Sequence, residues 1–314
     1  MRISVCITVK DESVVDLLKA LANQTKLPDE VVVIDASTIL NLKFEILNQF
    51  TNLNIKLIKR KNISRSRGRN LAVKMARNQV IAMTDAGCIP HIDWLEKIVA
   101  PYNKVHPRGV KVVVAGFYTM SYSNELQKAM CVYLGVLPNK FNKNKFLPSA
   151  RSIAFTKSVW KKVGGFPEKD HNSSEDTDFN YKLLANGIKF IRVKKAVVDW
   201  AMPKSLREFA GKIYNYARWD AGESLLTPHN LHSLFVVFRS FLAFSFLAFI
   251  FWNDWKFVNW YIFAFIGTYL LYALYKAGLW GLILQPTADL GAIIGYGSGI
   301  IKKFFVRVFL DGKP

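Results

Sequence analysis

The chain has 314 residues, of which 51% are hydrophobic and 14% aromatic, and its formal net charge is +20. Its three cysteines are far apart and show no CxxC spacing, which argues against a disulfide framework or a zinc site and fits a reducing compartment. The basic charge would suit nucleic acid, an anionic lipid surface or a phosphate-bearing substrate. Because the sequence has no zinc-finger, RNP-type or basic-zipper pattern, we expect no nucleic-acid partner.

The first part of the chain alternates strand-like and helix-like segments. Short apolar runs predict strands over 3–9, 31–34, 55–58 and 80–83. Helical spacing predicts helices over 14–22, 42–50 and 71–77. This alternation predicts a parallel sheet covered by helices, and several strands end in polar turns that carry an acid. We therefore expect these acids to gather along one edge of the sheet.

The strand at 80–83 ends abruptly in the sequence Thr-Asp-Ala-Gly, residues 84–87. In open α/β sheets, ligands bind outside the carboxyl ends of the strands. Asp85 would therefore present a carboxylate to a ligand or to a bound cation. The alternative is that Asp85 only caps the turn.

Three arginines and a glycine occupy the segment 64–70, just ahead of the predicted helix at 71–77. Guanidinium groups and the amides of a helix N-terminus both favour phosphate. The alternative is a plain basic loop. Further along, a strand is predicted over 110–117, helices over 92–98 and 124–137, and another strand over 188–198.

Taken in order, four short segments resemble the family 2 glycosyltransferases of the GT-A fold: Asp11-Glu12, residues 34–38, residues 67–70 and residues 84–87. The resemblance covers roughly residues 1–222. It implies an α/β fold of Rossmann-like type with a mostly parallel mixed sheet, and a UDP- or GDP-linked sugar as donor. The positions it implies for donor binding are Thr8, Lys10, Glu12, Asp35, Arg67, Gly68, Asn70, Asp85 and Ala86.

The family also implies a divalent cation, Mg²⁺ or Mn²⁺, on the donor diphosphate. Its Asp-x-Asp motif normally ends in the aspartate that binds the metal, but here that position is Gly87. Asp85, His91, or the diphosphate together with water are left as the groups that would hold the cation. Mg²⁺ and Mn²⁺ accept such water-rich shells.

Two further motifs resemble the catalytic machinery of the family. Glu175-Asp176 resembles the catalytic-base motif, and inversion at a sugar carbon needs one carboxylate to take the proton of the acceptor hydroxyl. Asp176 is the predicted base, and the alternative is that these acids merely cap a helix. Arg218-Trp219 resembles the Gln-x-x-Arg-Trp motif of cellulose-synthase-like members, with Asn215 in place of Gln. We therefore assign to the acceptor and diphosphate side Glu175, Arg218 and Trp219. For Arg218 and Trp219, the alternative is a helix whose aromatic side lies in the core.

The chain after residue 230 is almost entirely apolar or aromatic, which predicts a membrane domain over 223–314 behind a catalytic domain over 1–222. Spans are predicted over 231–252 and 257–275, with an interfacial or re-entrant segment over 277–301. The basic residues after 301 and the N-terminus, which lacks a signal-peptide pattern, place the catalytic domain on the cytoplasmic side.

The sequence thus predicts an inverting, membrane-anchored glycosyltransferase that acts on a lipid or lipid-linked glycan acceptor in cell-envelope glycan synthesis. Two alternatives stay open. One is a processive polysaccharide synthase, because of Arg218-Trp219; the other is a sugar-nucleotide-binding membrane scaffold without transfer, because of Gly87.

Overall fold

The computed structural model describes residues 1–37, 49–104, 111–168, 175–221 and 255–309. The chain divides into two compact units. The first joins Met1–Ser121 to Leu137–Ala201, and the second joins Tyr122–Val136 to Met202–Pro314. The boundary predicted between residues 222 and 223 stays a prediction.

The first unit is built on a mixed eight-stranded sheet of the GT-A type, which confirms the predicted fold class. Its strands in chain order are β1 (Ile3–Val9), β2 (Glu30–Asp35), β3 (Ile55–Lys59), β4 (Val80–Met83), β5 (Cys88–Pro90), β6 (Val112–Ser121), β7 (Ile153–Thr156) and β8 (Lys189–Ala201). They lie side by side in the order β3-β2-β1-β4-β7-β6-β8-β5. The first four in this order are parallel, as are β6 and β8, whereas β7 and β5 run antiparallel to their neighbours.

The α-helices of the described part of the chain are α1 (Val15–Ala22), α2 (Arg65–Met75), α3 (Trp94–Val99), α4 (Glu125–Leu134), α5 (Lys157–Lys162), α6 (Glu175–Ala185), α7 (Leu206–Asp220), α8 (Trp255–Ala277) and α9 (Gly281–Phe309). Short 3-10 turns occur at Ala100–Lys104, Pro138–Lys140 and Gly278–Trp280. Of the helices, α4, α7, α8 and α9 belong to the second unit.

The strands at the centre of the sheet are buried on both faces, as their continuous apolar runs predict. Side chains such as Ile34, Ile81 and Phe155 join apolar residues of α2 and α6 in one large core. All three cysteines are free and buried, so they act as small apolar fillers.

Helix α2 begins at Arg65 and not at residue 71, so the basic segment 64–70 forms the cap and the first half of this helix and is not a separate segment ahead of it. Ser64 caps this helix, because its hydroxyl accepts a hydrogen bond from the Arg67 amide at 3.5 Å. Gly68 lets the helix approach β1 closely, since a Cβ atom there would lie 2.6 Å from Thr8 Cγ2. The helix predicted over 42–50 lies outside the described residues except for its last two positions.

In the second unit, α9 packs against α7 through glycines spaced four residues apart. A Cβ atom on Gly295 would lie 2.5 Å from the Tyr214 carbonyl oxygen, and one on Gly299 would lie 2.3 Å from the Arg218 carbonyl oxygen. Small residues at this spacing allow two helix backbones to approach each other.

Helices α8 and α9 fold back on each other at Gly278, which has a φ of +58°. Polar contacts link them, including a hydrogen bond of 2.9 Å that the Tyr269 hydroxyl donates to Asp289 Oδ2. Within the described residues, one helical stretch, Phe263–Lys302, is long and apolar enough to cross a membrane, on length and composition alone. The span predicted over 231–252 lies outside the described residues, and the interfacial role of 277–301 stays a prediction.

Candidate active site

The carboxyl ends of β1, β2 and β4 bring the predicted donor-binding residues to one edge of the sheet. Val9 at the end of β1 lies opposite Asp35 at the end of β2, and β1 also pairs with β4, which Asp85 follows. The two loops are tied together, because the Asp11 amide donates a hydrogen bond of 2.9 Å to the Ser37 hydroxyl. The acids therefore meet at the edge where open α/β sheets bind their ligands.

An open cleft at this edge is lined by Thr8, Lys10, Glu12 and Arg65, among others. Asp35 is next in sequence to a residue of this cleft and is fully buried. One of its carboxylate oxygens accepts a hydrogen bond of 3.0 Å from the Ser37 amide. In the described part of the chain, the other Asp35 oxygen and the Thr8 hydroxyl oxygen are buried without a hydrogen-bond partner. Buried polar atoms are rarely left unpaired in native proteins, so both oxygens have the capacity for a further hydrogen bond at this edge.

Arg69 joins the donor edge to the start of α6. Its Nη2 atom lies 2.7 Å from Asp85 Oδ1, and its Nη1 atom lies 2.5 Å from Glu175 Oε1. Burial by itself would raise the pKa of Asp85, but Arg69, followed by Arg65 and Arg151, outweighs it and lowers that pKa to about 2. Burial would likewise lower the pKa of Arg69, but Asp85 and Glu175 raise it above its ordinary value. Asp85 is therefore ionised at neutral pH.

The predicted base, Asp176, lies in the first turn of α6, next to Glu175. Its Oδ2 atom accepts a hydrogen bond of 3.2 Å from the Ala150 amide, and its Oδ1 atom accepts one of 2.9 Å from the Thr177 amide. Asp176 also contributes to the raised pKa of Arg69. Asp85, Glu175 and Asp176 thus share the electrostatic environment of one guanidinium, and amides and the helix dipole keep the Asp176 carboxylate oriented.

The position of the absent metal-binding aspartate is adjacent to another carboxylate. An ideal Cβ atom on Gly87 would lie 3.1 Å from Glu12 Oε2. His91, the other predicted ligand, has its Nε2 atom 3.2 Å from Asp199 Oδ2. Among the described residues, no group of three or more His, Cys, Asp or Glu residues is arranged so that it could hold a metal ion.

Four of the predicted donor-binding residues make structural contacts around the site. The Asn70 side chain accepts hydrogen bonds from the Phe166 amide and the Trp160 indole, and donates to the Phe166 carbonyl and to Glu168. It therefore fixes the turn that follows α5. Arg67 is half exposed and forms a 3.8 Å ion pair with Glu168, and Gly68 sets the approach of α2 to β1 as described above. Ala86 is buried in the turn after Asp85.

Sequence reasoning placed Arg65 and Arg69 in the basic segment 64–70 but did not predict their carboxylate partners, and it missed Arg151. Arg65 and Arg69 are four residues apart, so they share one face of α2, and this spacing would have been informative had the helix been started at residue 65. Arg65 Nη1 lies 3.8 Å from Glu175 Oε1. The guanidinium of Arg151 stacks 3.9 Å from the centre of the Trp200 ring, a contact between distant segments that no local pattern predicts.

Arg218 and Trp219 lie at the end of α7, in the second unit. The guanidinium carbon of Arg218 lies 5.2 Å from the centre of the Trp219 ring, and Lys302 Nζ lies 5.3 Å from the same ring. Two cations therefore flank one indole. The predicted roles of Arg218 and Trp219 towards acceptor and diphosphate stay predictions.

Comparison with known proteins identifies the fold and the family. The sequence model described as glycosyl transferase family 2 matches residues 4–162, which is half of the chain. No curated protein sequence matches the chain closely enough to count as a relative.

Three solved structures are similar in fold. The mannosyltransferase PcManGT from Pyrobaculum calidifontis, solved with GDP-Man and Mn²⁺, has a TM-score of 0.52 at 18% identity, over 99% of this chain and 88% of its own. TarS from S. aureus has a TM-score of 0.50 at 20% identity, over 74% of this chain and 45% of its own. GalNAc-T7, solved with UDP, GalNAc and Mn²⁺, has a TM-score of 0.51 at 15% identity, over 70% of this chain and 51% of its own. The matched part thus spans about half the length of the last two proteins.

Proposed function

We propose, since the chain belongs to glycosyl transferase family 2, that it transfers a sugar from a UDP- or GDP-linked donor to an acceptor hydroxyl with inversion. Family membership confirms the expected enzyme class. The observation that carries the proposal is the pair of contacts made by Arg69, which bring the donor-side Asp85 and the start of α6, with Asp176, around one guanidinium. The solved relatives PcManGT and GalNAc-T7, which hold GDP-Man and UDP, support a nucleotide-sugar donor.

In this proposal, Asp176 is the general base. Its carboxylate takes the proton of the acceptor hydroxyl while that oxygen attacks the sugar carbon on the face opposite the diphosphate, which leaves as the bond to the sugar breaks. The amides of Ala150 and Thr177 hold the carboxylate in place during this step. The cations of Arg65 and Arg151, whose influence reaches Asp85, would stabilise the charge that develops on the leaving group.

We assign two carboxylates, those of Glu12 and Asp85, to hold a divalent cation at the site. Glu12 Oε2 lies 3.1 Å from the position that a Cβ atom would take at residue 87, so Glu12 is suited to replace the aspartate that Gly87 lacks. Asp85, ionised through Arg69, is the second carboxylate. Bound there, Mg²⁺ or Mn²⁺ would neutralise the donor diphosphate, whose oxygens together with water would complete its shell. The Mn²⁺ in two of the structures similar in fold, PcManGT and GalNAc-T7, supports the use of a divalent cation.

We further infer that the chain is anchored in a membrane and faces the cytoplasm, with a lipid or lipid-linked glycan as acceptor. Only 33% of the most apolar window in Phe263–Lys302 is buried, and side chains such as Phe263 and Tyr275 are exposed at 77% and 90%. A soluble core helix would bury these side chains, whereas lipid tails would cover them. The net charge of +20 suits an anionic membrane surface, and the three free cysteines suit a reducing compartment.

The test is transfer in detergent or lipid across a panel of UDP- and GDP-sugars, with and without Mn²⁺. Asp176→Asn should abolish turnover while nucleotide binding is retained, and Asp178→Asn, on the same helix, is the matched control that should keep it. Absence of transfer with every donor, while nucleotide binding persists, would favour the non-catalytic scaffold. Retention of the anomeric configuration in the product would contradict the inverting mechanism.

A processive polysaccharide synthase remains the second candidate because of Arg218-Trp219, which resembles the cellulose-synthase-like motif. Product length distinguishes the two enzymes. A single added sugar per acceptor supports our proposal, and a ladder of long products supports the synthase.

A further inference from the structure

Arg69 is buried between two carboxylates that come from distant parts of the chain. Its side chain is 2% exposed, and its two terminal nitrogens pair with Asp85 and with Glu175, which lies 106 residues further along the sequence. The side chain of Glu175 is 3% exposed. Such a guanidinium has no room to contact a substrate directly, but it decides how the two segments that carry these acids are held together.

The surroundings of Arg69 extend the link into α6. The guanidinium carbon lies 5.7 Å from the centre of the Phe166 ring, and Phe166 stacks on Phe179 of α6 with ring centres 4.1 Å apart. The aromatic ring of Phe166 therefore constrains the plane of the guanidinium, and the two carboxylates constrain its edge. The beginning of α6, where Asp176 follows Glu175, is held by these contacts and by the Ala150 amide.

We propose that Arg69 is the positioning residue that sets Asp176 against the donor-side Asp85, by neutralising Asp85 and Glu175 at the same time. The inference rests on the proposed function, because it assigns Arg69 a task in that transfer reaction. Without the guanidinium, the buried carboxylate of Glu175 and the partly buried carboxylate of Asp85 would be left uncompensated next to the base, and they would repel each other and Asp176. The donor itself would still find Asp35 and the cleft at the ends of β1 and β2.

The first measurement compares Arg69→Lys and Arg69→Gln with the wild-type chain. A lysine keeps the charge but cannot reach both carboxylates as the fork does. We expect kcat to fall by about 10- to 100-fold in both variants, a range typical for loss of a supporting side chain, while the Kd for UDP or GDP changes by less than about threefold. Arg77→Gln, which alters an exposed arginine paired with Glu30 at 3.9 Å, is the matched control and should leave both quantities unchanged.

The second measurement is the pH profile of kcat. If Arg69 had only a structural role, Arg69→Gln and Glu175→Gln would not move this profile in opposite directions. Arg69→Gln removes a positive charge near Asp176, so the acid limb of the profile should move to higher pH. Glu175→Gln removes the neighbouring negative charge, so the acid limb should move to lower pH. The glutamine side chain can still accept a hydrogen bond from Arg69. If Arg69→Gln does not fold, the double variant Arg69→Gln/Glu175→Gln should recover the fold, since it leaves fewer buried charges unpaired.

The outcomes separate this inference from the proposed function. If the wild-type chain turns over and both Arg69 variants keep its kcat, the inference alone is overturned. The same holds if the acid limbs of the pH profiles do not move in the variants. A loss of nucleotide affinity as large as the loss of kcat would also overturn it, because Arg69 would then be a binding residue. A wild-type chain without turnover on any donor would overturn the proposed function and this inference with it.

Discussion

The exchange of carboxylates between positions 12 and 87 gives the sharpest test of how the site holds its cation. Gly87→Asp would place a second carboxylate next to Glu12 Oε2, which lies 3.1 Å from the Cβ position at residue 87. Two such charges about 4 Å apart repel by about 1 kcal/mol in water and by about 4 kcal/mol at an effective dielectric constant of 20. Because Gly87 is exposed, we expect the lower part of this range, a loss of about 1–2 kcal/mol in the free energy of unfolding without metal.

A divalent cation shared by these carboxylates should reverse that loss. Thermal unfolding in the presence of Mn²⁺ and UDP or GDP should bring Gly87→Asp back to wild-type stability or above it. Electron paramagnetic resonance of free Mn²⁺ would report the affinity directly. In that titration, Glu12→Gln should weaken Mn²⁺ binding by at least about tenfold, and Glu12→Gln/Gly87→Asp should restore it.

Gly87→Asn is the matched control, since it adds nearly the same volume without the charge. It should show no Mn²⁺-dependent recovery. The reasoning would be refuted if Glu12→Gln bound Mn²⁺ as tightly as the wild-type chain, or if the deficit of Gly87→Asp persisted in saturating Mn²⁺ and nucleotide.

Three further predictions concern stability. The pKa of Asp85 is lowered from 3.8 to about 2. The stability from its pairing with Arg69 is therefore complete above pH 3.8 and is lost as the pH falls through about 2. Acid unfolding in this interval should be steeper in the wild-type chain than in Asp85→Asn, and equal slopes would contradict this prediction. Gly68→Ala should destabilise by about 1–3 kcal/mol in chemical unfolding, because its Cβ atom would lie 2.6 Å from Thr8 Cγ2, and Thr8→Ser should relieve most of that loss. Gly299→Ala should lower the melting temperature in detergent, since its Cβ atom would lie 2.3 Å from a backbone oxygen of α7, whereas Gly297→Ala, with nothing within 4 Å, should not; equal effects would contradict the close packing of α7 on α9.

Much of the fold could be predicted from local patterns. The strands β1 and β4 have the bounds that their apolar runs predict, whereas β2 is longer by one residue at each end and β3 by one residue at its end. Buried strands need continuous apolar side chains, so this signal is strong and local. By contrast, the predicted start of α2 was wrong, because the arginines at 65, 67 and 69 are typical of a solvated loop. The helix begins at residue 65 because Ser64 caps it and Gly68 packs against Thr8.

The candidate site shows the same division. Asp35 and Asp85 follow predictable strands, so their meeting at one sheet edge follows from a parallel arrangement. The role of Asn70 could not be predicted in this way. Its amide bonds to residues 160, 166 and 168, and these partners are chosen by the packing of α2 against the turn after α5, which leaves no mark in the pattern of either segment.

The sequence by itself determined the class of sheet, the strands that end in acids, the apolar character of the C-terminal helices and the family, because each depends on residue types repeated over short intervals. Only the tertiary structure decided that Arg69 binds both Asp85 and Glu175, and that Glu12 occupies the space beside Gly87. These contacts join residues up to 106 positions apart. They arise from the way in which strand order and helix packing bring distant segments together, and that information is distributed over the whole core and is not contained in any one motif.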